Sequence, residues 1–385
     1  MLSVLGIGIV ALAILTAVYR SLRADPSSSL PSNDAASLWE RQAVSYTADS
    51  LGINLPWLDR HNGADFTLSY NWLDTSYDST LVEADLAEID AMGVRKIRSF
   101  CLMEWVFDLR DGEFRLNCEH AQNLDDFLDR AERHRIQVIS VMGDGNYDSR
   151  PLDGKFQWSL IQHSKGRQVY AEAYVAYVKR FRHHRNVLMW EVSNEPYGSL
   201  TWSLAAQKLG VTQEQVHEYL RLSYRALKSV AGDVPVGFSE LEEREQDKYH
   251  LFGNAVKRQA LIDDSTDIYS MHFYRASPDQ IEDFRALNGK PKWAVELGAY
   301  NYSDPRAIGH PLPANNELYD GRKNYQAVPP LAQKLMNSGF SLIMPWAFSS
   351  NAGLVEHNKN GTHTLGPLAL YMKRQLTPDA VVIDS

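Results

Sequence analysis

The chain has 385 residues, with 39 Lys and Arg against 48 Asp and Glu, a formal net charge of −9. A hydrophobic share of 44% beside 23% charged residues is that of a folded globular protein and excludes intrinsic disorder. The acidic balance argues against nucleic acid as a partner, because phosphates call for a clustered basic face.

Leu2 to Val18 reads LSVLGIGIVALAILTAV, apolar except for Ser3 and Thr16. Its length sits at the short end of the roughly 17–25 residues that cross a bilayer. No Lys or Arg precedes it, unlike the basic start of a secretion signal, and the first positive charges, Arg20 and Arg23, follow it. The favoured reading is a transmembrane or signal-anchor helix within residues 1–23; cleavage and secretion is the alternative, and orientation stays open. Residues 24–46 contain the Ser/Pro-rich tract DPSSSLPSNDAAS and read as a linker. The globular domain is expected over 47–378, with a tail at 379–385.

From residue 51 onward, short apolar runs alternate with helical stretches. The runs are Leu51–Leu55, Val94–Phe100, Ile136–Gly143, Val187–Pro196, Pro235–Leu241, Asp267–Tyr274, Pro291–Gly298 and Ser341–Phe348. Several lack a period of two, as parallel strands covered on both faces do. Helices are expected over Thr80–Met92, His120–His134, Gln168–His183, Thr212–Ala231, Pro278–Leu287 and Lys323–Asn337. Gly93 marks the end of the first, and Thr212 with Gln215 forms a capping box at the start of the fourth. Such strand–helix alternations predict an α/β fold, a (β/α)8 TIM barrel. The fifth unit is the least defined, since Glu240–His250 (ELEEREQDKYH) also reads as a solvated loop.

Cys101 and Cys118 are the only cysteines. They flank WVFDLRDGEFRL, where Asp111-Gly112 between short apolar runs predicts a hairpin turn. A disulfide at its base and two unpaired thiols are both open.

In a (β/α)8 barrel the polar residues at strand C-termini line the active mouth. The fourth run ends Asn194-Glu195-Pro196, and the seventh carries Glu296 within WAVELG. Two carboxyls facing each other across such a mouth are the equipment of glycosidic cleavage. With these residues in that order, the chain resembles clan A glycoside hydrolases, most like families 5 and 39, over nearly all of residues 47–375. The resemblance implies Glu195 as acid/base, Glu296 as nucleophile, and Arg98, Asn194, His272, Tyr274 and Trp346 as substrate-binding residues. It implies no cofactor, and no His, Cys or carboxylate cluster has the spacing of a metal site.

Charge gives the two acids different roles. Arg98 and the Tyr274 hydroxyl are expected to favour the Glu296 carboxylate, while burial and the Glu296 charge keep the proton on Glu195. Asn194 is expected to bond the sugar 2-OH or its mannose counterpart, and Trp346 to offer a flat apolar face to the sugar ring. Other residues invite plainer readings. Glu191 and Glu240 read as solvated or salt-bridged. Trp57, Trp105 and Trp158 read equally as outer sugar subsites or as hydrophobic anchors. Asp144 and Asp148 read first as turn residues.

The resulting expectation is a retaining β-glycosidase, endo-acting on a β-linked polysaccharide such as a mannan, glucan or exopolysaccharide. A transglycosylase on the same site and a non-catalytic carbohydrate-binding barrel are the alternatives. The expected location is the cell envelope, anchored through the N-terminal segment with the barrel outside the cytoplasm.

Overall fold

The computed structural model describes residues 46–56, 77–145, 156–241, 262–273, 281, 285, 287–298, 321–346, 348, 355–357 and 363–377. The chain divides into two units, Met1–Val44 and Ser45–Ser385. The apolar segment Leu2–Val18, the Ser/Pro-rich tract, the tail, Trp57, Asp148 and Tyr274 lie outside the described residues. Among the described residues, no helix is long and apolar enough to cross a membrane.

In chain order the strands are β1 (Ile53–Asn54), β2 (Lys96–Phe100), β3 (Phe107–Arg110), β4 (Glu113–Leu116), β5 (Gln137–Val141), β6 (Val187–Asn194), β7 (Val236–Leu241), β8 (Tyr269–Phe273), β9 (Lys292–Leu297), β10 (Phe340–Pro345), β11 (Val355–His357) and β12 (His363–Leu365). The helices are α1 (Ser79–Ala91), α2 (Met103–Val106), α3 (Cys118–Arg133), α4 (Trp158–Gln162), α5 (Ser164–Phe181), α6 (Pro196–Trp202), α7 (Leu204–Leu209), α8 (Gln213–Lys228), α9 (Gly321–Asn337) and α10 (Pro367–Leu376). β1, β2 and β5 to β10 form one parallel sheet of eight strands, each paired with the next in sequence order. The ends meet: Gly52 N–H donates to Ile343 O and Ile343 N–H to Ser50 O, both at 2.9 Å, and Phe348 N–H donates to Asn54 O at 2.7 Å. The result is the expected (β/α)8 barrel.

A cluster of fully buried apolar side chains fills its interior: Ile139, Met189, Ile268, Val295, Leu342 and Met344. These come from strands on opposite sides of the ring, which can touch only through the middle. Each such side chain contributes about 1.5–3 kcal/mol on burial, so the barrel centre is a packed core and no channel.

Local signals explain the helix ends. Asp78 accepts the Thr80 N–H at 2.8 Å to start α1, and Gly93, at φ 79°, stops it in a conformation that costs glycine little. At α8 both halves of the capping box form: Thr212 Oγ1 accepts the Gln215 N–H at 3.3 Å, and Gln215 Oε1 accepts the Thr212 N–H at 2.9 Å. β3 and β4 pair around Asp111 and Gly112, at φ 55° and 80°, the left-handed pair of a two-residue hairpin turn. Both cysteines are free thiols. Cys118 is exposed, whereas Cys101 is buried and its thiol is pushed up to about 12 by that burial.

Candidate active site

Side chains on a strand alternate between its faces, so residues three apart point opposite ways unless the strand is irregular. β6 is irregular where it matters. Glu191 pairs with Gly237 and Asn194 with Ser239, which sets one extra β6 residue against β7. That bulge turns both Glu191 and Asn194 toward Arg98. β9 repeats the device: Ala294 and Glu296 oppose the consecutive residues Met271 and His272, and Ala294 and Leu297 oppose Ile343 and Pro345. Val295 thus packs into the barrel core while its neighbour Glu296 enters the polar pocket.

Arg98 is the hub and is fully buried. Its Nε donates to Glu191 Oε2 at 2.8 Å and one terminal nitrogen to Glu191 Oε1 at 2.5 Å, a two-point pair. That same terminal nitrogen donates to Asn194 Oδ1 at 2.7 Å and Ser239 Oγ at 3.0 Å. The other donates to Asn54 Oδ1 at 3.3 Å and to Glu296 Oε1 in a close ion pair. Burial works against the guanidinium charge, but Glu191 and Glu296 outweigh it and hold its pKa above the ordinary value. Asn54 is itself fixed, donating to Val295 O at 2.7 Å. Asn194 donates on to Asp144 Oδ2 at 3.3 Å, so its amide is oriented from both ends.

Glu195 enters from the turn that follows β6. Its φ of 45° lies in the left-handed region, which non-glycine residues rarely occupy. Its N–H donates to Ser239 O at 2.9 Å, and its carbonyl accepts the Ser199 hydroxyl at 2.8 Å. The side chain reaches His272, with Oε1 2.6 Å from Nδ1; Glu296 Oε2 lies 3.4 Å from the same nitrogen. One imidazole therefore spans both carboxyls, which bring an oxygen each within 4.8 Å of one another. Burial pushes His272 down to about 4, with Glu296 and Glu191 opposing and Arg98 assisting, so the ring is neutral at pH 7.

Of the site residues expected from sequence, Arg98, Asn194, Glu195, His272 and Glu296 thus converge. Trp346 follows β10, 4% exposed, with its ring edge-on to Phe100 at 6.2 Å, and Arg98 lies over the Phe100 ring at 5.3 Å. Two plainer readings, those of Asp144 and Glu240, need correction, and one open pair is decided. Asp144 is a buried partner of Asn194 and no simple turn residue. Trp105 and Trp158 are 2% and 3% exposed, and Trp158 packs against Phe156 at 5.0 Å, so both are anchors and neither paves a subsite. Glu191 is salt-bridged, but Glu240 is neither solvated nor salt-bridged: it is buried and accepts backbone N–H groups. Asn54 and Ser239 escaped sequence reasoning; their signal was a polar residue inside an otherwise apolar run.

Among the described residues three groups bring His and carboxylate atoms within 4.8 Å: Asp125, His183 and His184; Asp129, Glu132 and His184; and Glu195, His272 and Glu296. Arg180 already donates to both oxygens of Asp125 in the first, and Arg98 pairs with Glu296 in the third. In these two groups a guanidinium is already paired with a carboxylate.

No protein-family model matches the chain, and no curated protein matches its sequence. Solved structures do. A β-glucosidase from Thermotoga maritima aligns at 11% identity and TM-score 0.58 over 86% of this chain and 98% of its own. The β-mannanase of the blue mussel Mytilus edulis aligns at 14% identity and TM-score 0.53, over 85% and 90%. The virulence factor SghA, solved with the substrate analog salicin, aligns at 12% identity and TM-score 0.58, over 90% and 99%. At these identities the likeness is one of fold.

Proposed function

We propose that the protein is a retaining β-glycosidase acting on a β-linked polysaccharide or oligosaccharide by double displacement. The observation that carries this reading is the pairing of Glu195 and Glu296 across one imidazole at the strand ends of a closed barrel. Retaining enzymes hold their carboxyls about 5–5.5 Å apart, and inverting ones about 6.5–9.5 Å to admit a water. The close approach of the two carboxyls through His272 favours the first.

In the first step a Glu296 oxygen attacks the anomeric carbon, the glycosidic C–O bond breaks, and Glu195 gives its proton to the departing oxygen. In the second, Glu195 takes a proton from water, the resulting hydroxide attacks the same carbon, and the ester bond to Glu296 breaks. Both acids return to their starting states. Arg98 holds Glu296 as an anion aimed into the pocket, and Glu191 carries the compensating charge. The second amide hydrogen of Asn194 is the donor proposed for the sugar 2-OH, since Arg98 and Asp144 fix the group's orientation.

The endo part of the reading rests on the sequence resemblance, because Trp105 and Trp158 are buried. Soluble oligosaccharides of mixed length are its expected products; monosaccharide alone would remove it. Envelope location rests on Leu2–Val18, with recovery of the full chain in the membrane fraction as its test. The reading itself is tested by reducing-end release from β-mannans, β-glucans, xylan and envelope polysaccharides. Wild type should release sugar from at least one, and E296Q from none; turnover by E296Q equal to wild type rejects the assignment.

A further inference from the structure

Glu240 is a buried acid that the double displacement does not use. It ends β7 and stands beside the turn that carries Glu195. Its Oε2 accepts the Tyr197 N–H at 2.9 Å, and its Oε1 accepts the Gly198 N–H at 3.2 Å together with its own neighbour's, Leu241, at 2.9 Å. The first amides of a helix have no partners within it, so α6 depends on this carboxyl from the adjacent strand to begin where it does. Glu195 immediately precedes that first turn, in a left-handed conformation that a non-glycine residue keeps only when its surroundings impose it. Specific hydrogen bonds do so here. Ser239 O holds the Glu195 N–H, Ser199 holds its carbonyl, and Glu240 holds the next two available amides. Two consecutive residues of β7, Ser239 and Glu240, thus dictate where Glu195 sits.

We propose that Glu240 is a positioning residue for Glu195: its carboxyl clamps the Tyr197 and Gly198 amides and so holds the acid/base side chain against His272. This rests on the glycosidase reading for its consequence in catalysis, though not for its geometry. Glutamine is isosteric but cannot replace it. Both carboxyl oxygens keep an acceptor lone pair even with a proton on one of them, whereas glutamine's oxygen can accept one amide while its NH2 meets the second donor to donor. Aspartate keeps the carboxyl but lacks the reach. Burial, and Glu195 when ionised, push the Glu240 carboxyl up, to about 8, against the three backbone donors.

The test uses E240Q and, as a second variant, E240D, each examined by crystal structure and by kinetics. The structures should show residue 195 leaving its positive φ and its carboxyl withdrawn from His272. The kinetic probes are phenyl and 2,4-dinitrophenyl β-glucosides and β-mannosides. Dinitrophenolate departs without a proton and phenolate benefits from one, so kcat/KM separates proton donation from the rest of the site. General acid catalysis is worth roughly 10²–10⁴-fold, and we expect kcat/KM to fall at least about tenfold on the phenyl glycoside but less than about threefold on the dinitrophenyl one. A merely structural lesion would lower both together. If Glu195 keeps its place in both variants, or if the two glycosides lose rate equally, the positioning role is overturned. If wild type cleaves neither sugar while the variants still release Glu195, the clamp stands and the glycosidase reading fails.

Discussion

Arg98→Lys tests the hub. The guanidinium makes six contacts with five groups: Glu191 twice, Glu296, Asn54, Asn194 and Ser239. A lysine ammonium keeps the charge but brings three donors and no planar fork. At least two buried acceptors are stranded, at about 1–3 kcal/mol each, and the two-point pair with Glu191 becomes a single contact. Breaking a buried pair outright costs about 3–5 kcal/mol, so a loss of about 4 kcal/mol is expected. With roughly 2–4 °C per kcal/mol in domains somewhat smaller than this one, melting should fall by about 10 °C. The assay is thermal unfolding by circular dichroism at pH 7 and one scan rate. Arg110→Lys, whose pair with Asp108 is exposed, serves as the control and should change stability by under about 0.5 kcal/mol. Activity of R98K should fall about 10²-fold or more, because Glu296 loses its preorganised partner. An R98K protein melting within about 2 °C of wild type would refute the reasoning, since six buried contacts cannot be both made and dispensable.

Other consequences are as direct. The Glu240 carboxyl, raised in the folded state from the ordinary 4.5 to about 8, binds its proton more tightly there than in the unfolded chain. Its contribution is therefore fully present below about pH 4.5 and is lost as pH rises through about 8, a swing on the order of 5 kcal/mol. Urea denaturation between pH 6.5 and 8 should show wild-type stability falling relative to E240Q; parallel curves would contradict the shift. Asp144→Asn replaces the charged acceptor of the Asn194 amide and should cost about tenfold in kcat/KM with the melting temperature nearly unchanged; equal kinetics would show that Asn194 needs no such partner. Iodoacetamide should modify Cys118 in the native protein and Cys101 only after unfolding, as peptide mass mapping will read.

Much of the fold was legible in the sequence because its signals are local. Seven of the eight apolar runs contain the strand observed, and the eighth misses only Phe340, the first residue of β10; Thr212 and Gln215 announced their cap, and Asp111-Gly112 announced the hairpin. Glu195 and Glu296 could be named because they stand at the ends of two apolar runs; Arg98, Asn194 and His272 followed from the resemblance to a known family pattern. The architecture of the network could not. The bulges in β6 and β9 that turn Asn194 and Glu296 inward are properties of register against neighbouring strands, set by residues that lie elsewhere in the sequence, such as Gly237 and Ser239 for β6 and Met271 and His272 for β9. Glu240 illustrates the same gap. Followed by LEEREQ, it reads as one more solvated acid, and only the arrival of α6 beside β7 gives it two amides to hold. Trp105 and Trp158 stayed open between anchor and subsite for a related reason, since a position in sequence says nothing of which way the ring faces.

The measurement that bears most directly on the paired acids is trapping with 2,4-dinitrophenyl 2-deoxy-2-fluoro-β-glucoside and -mannoside, followed by peptide mass mapping. Double displacement requires the fluorosugar to be found as an ester on Glu296, with E296Q unlabelled and E195Q still labelled. Attachment to Glu195, or turnover of the parent glycosides to the inverted anomer with no adduct, would contradict it.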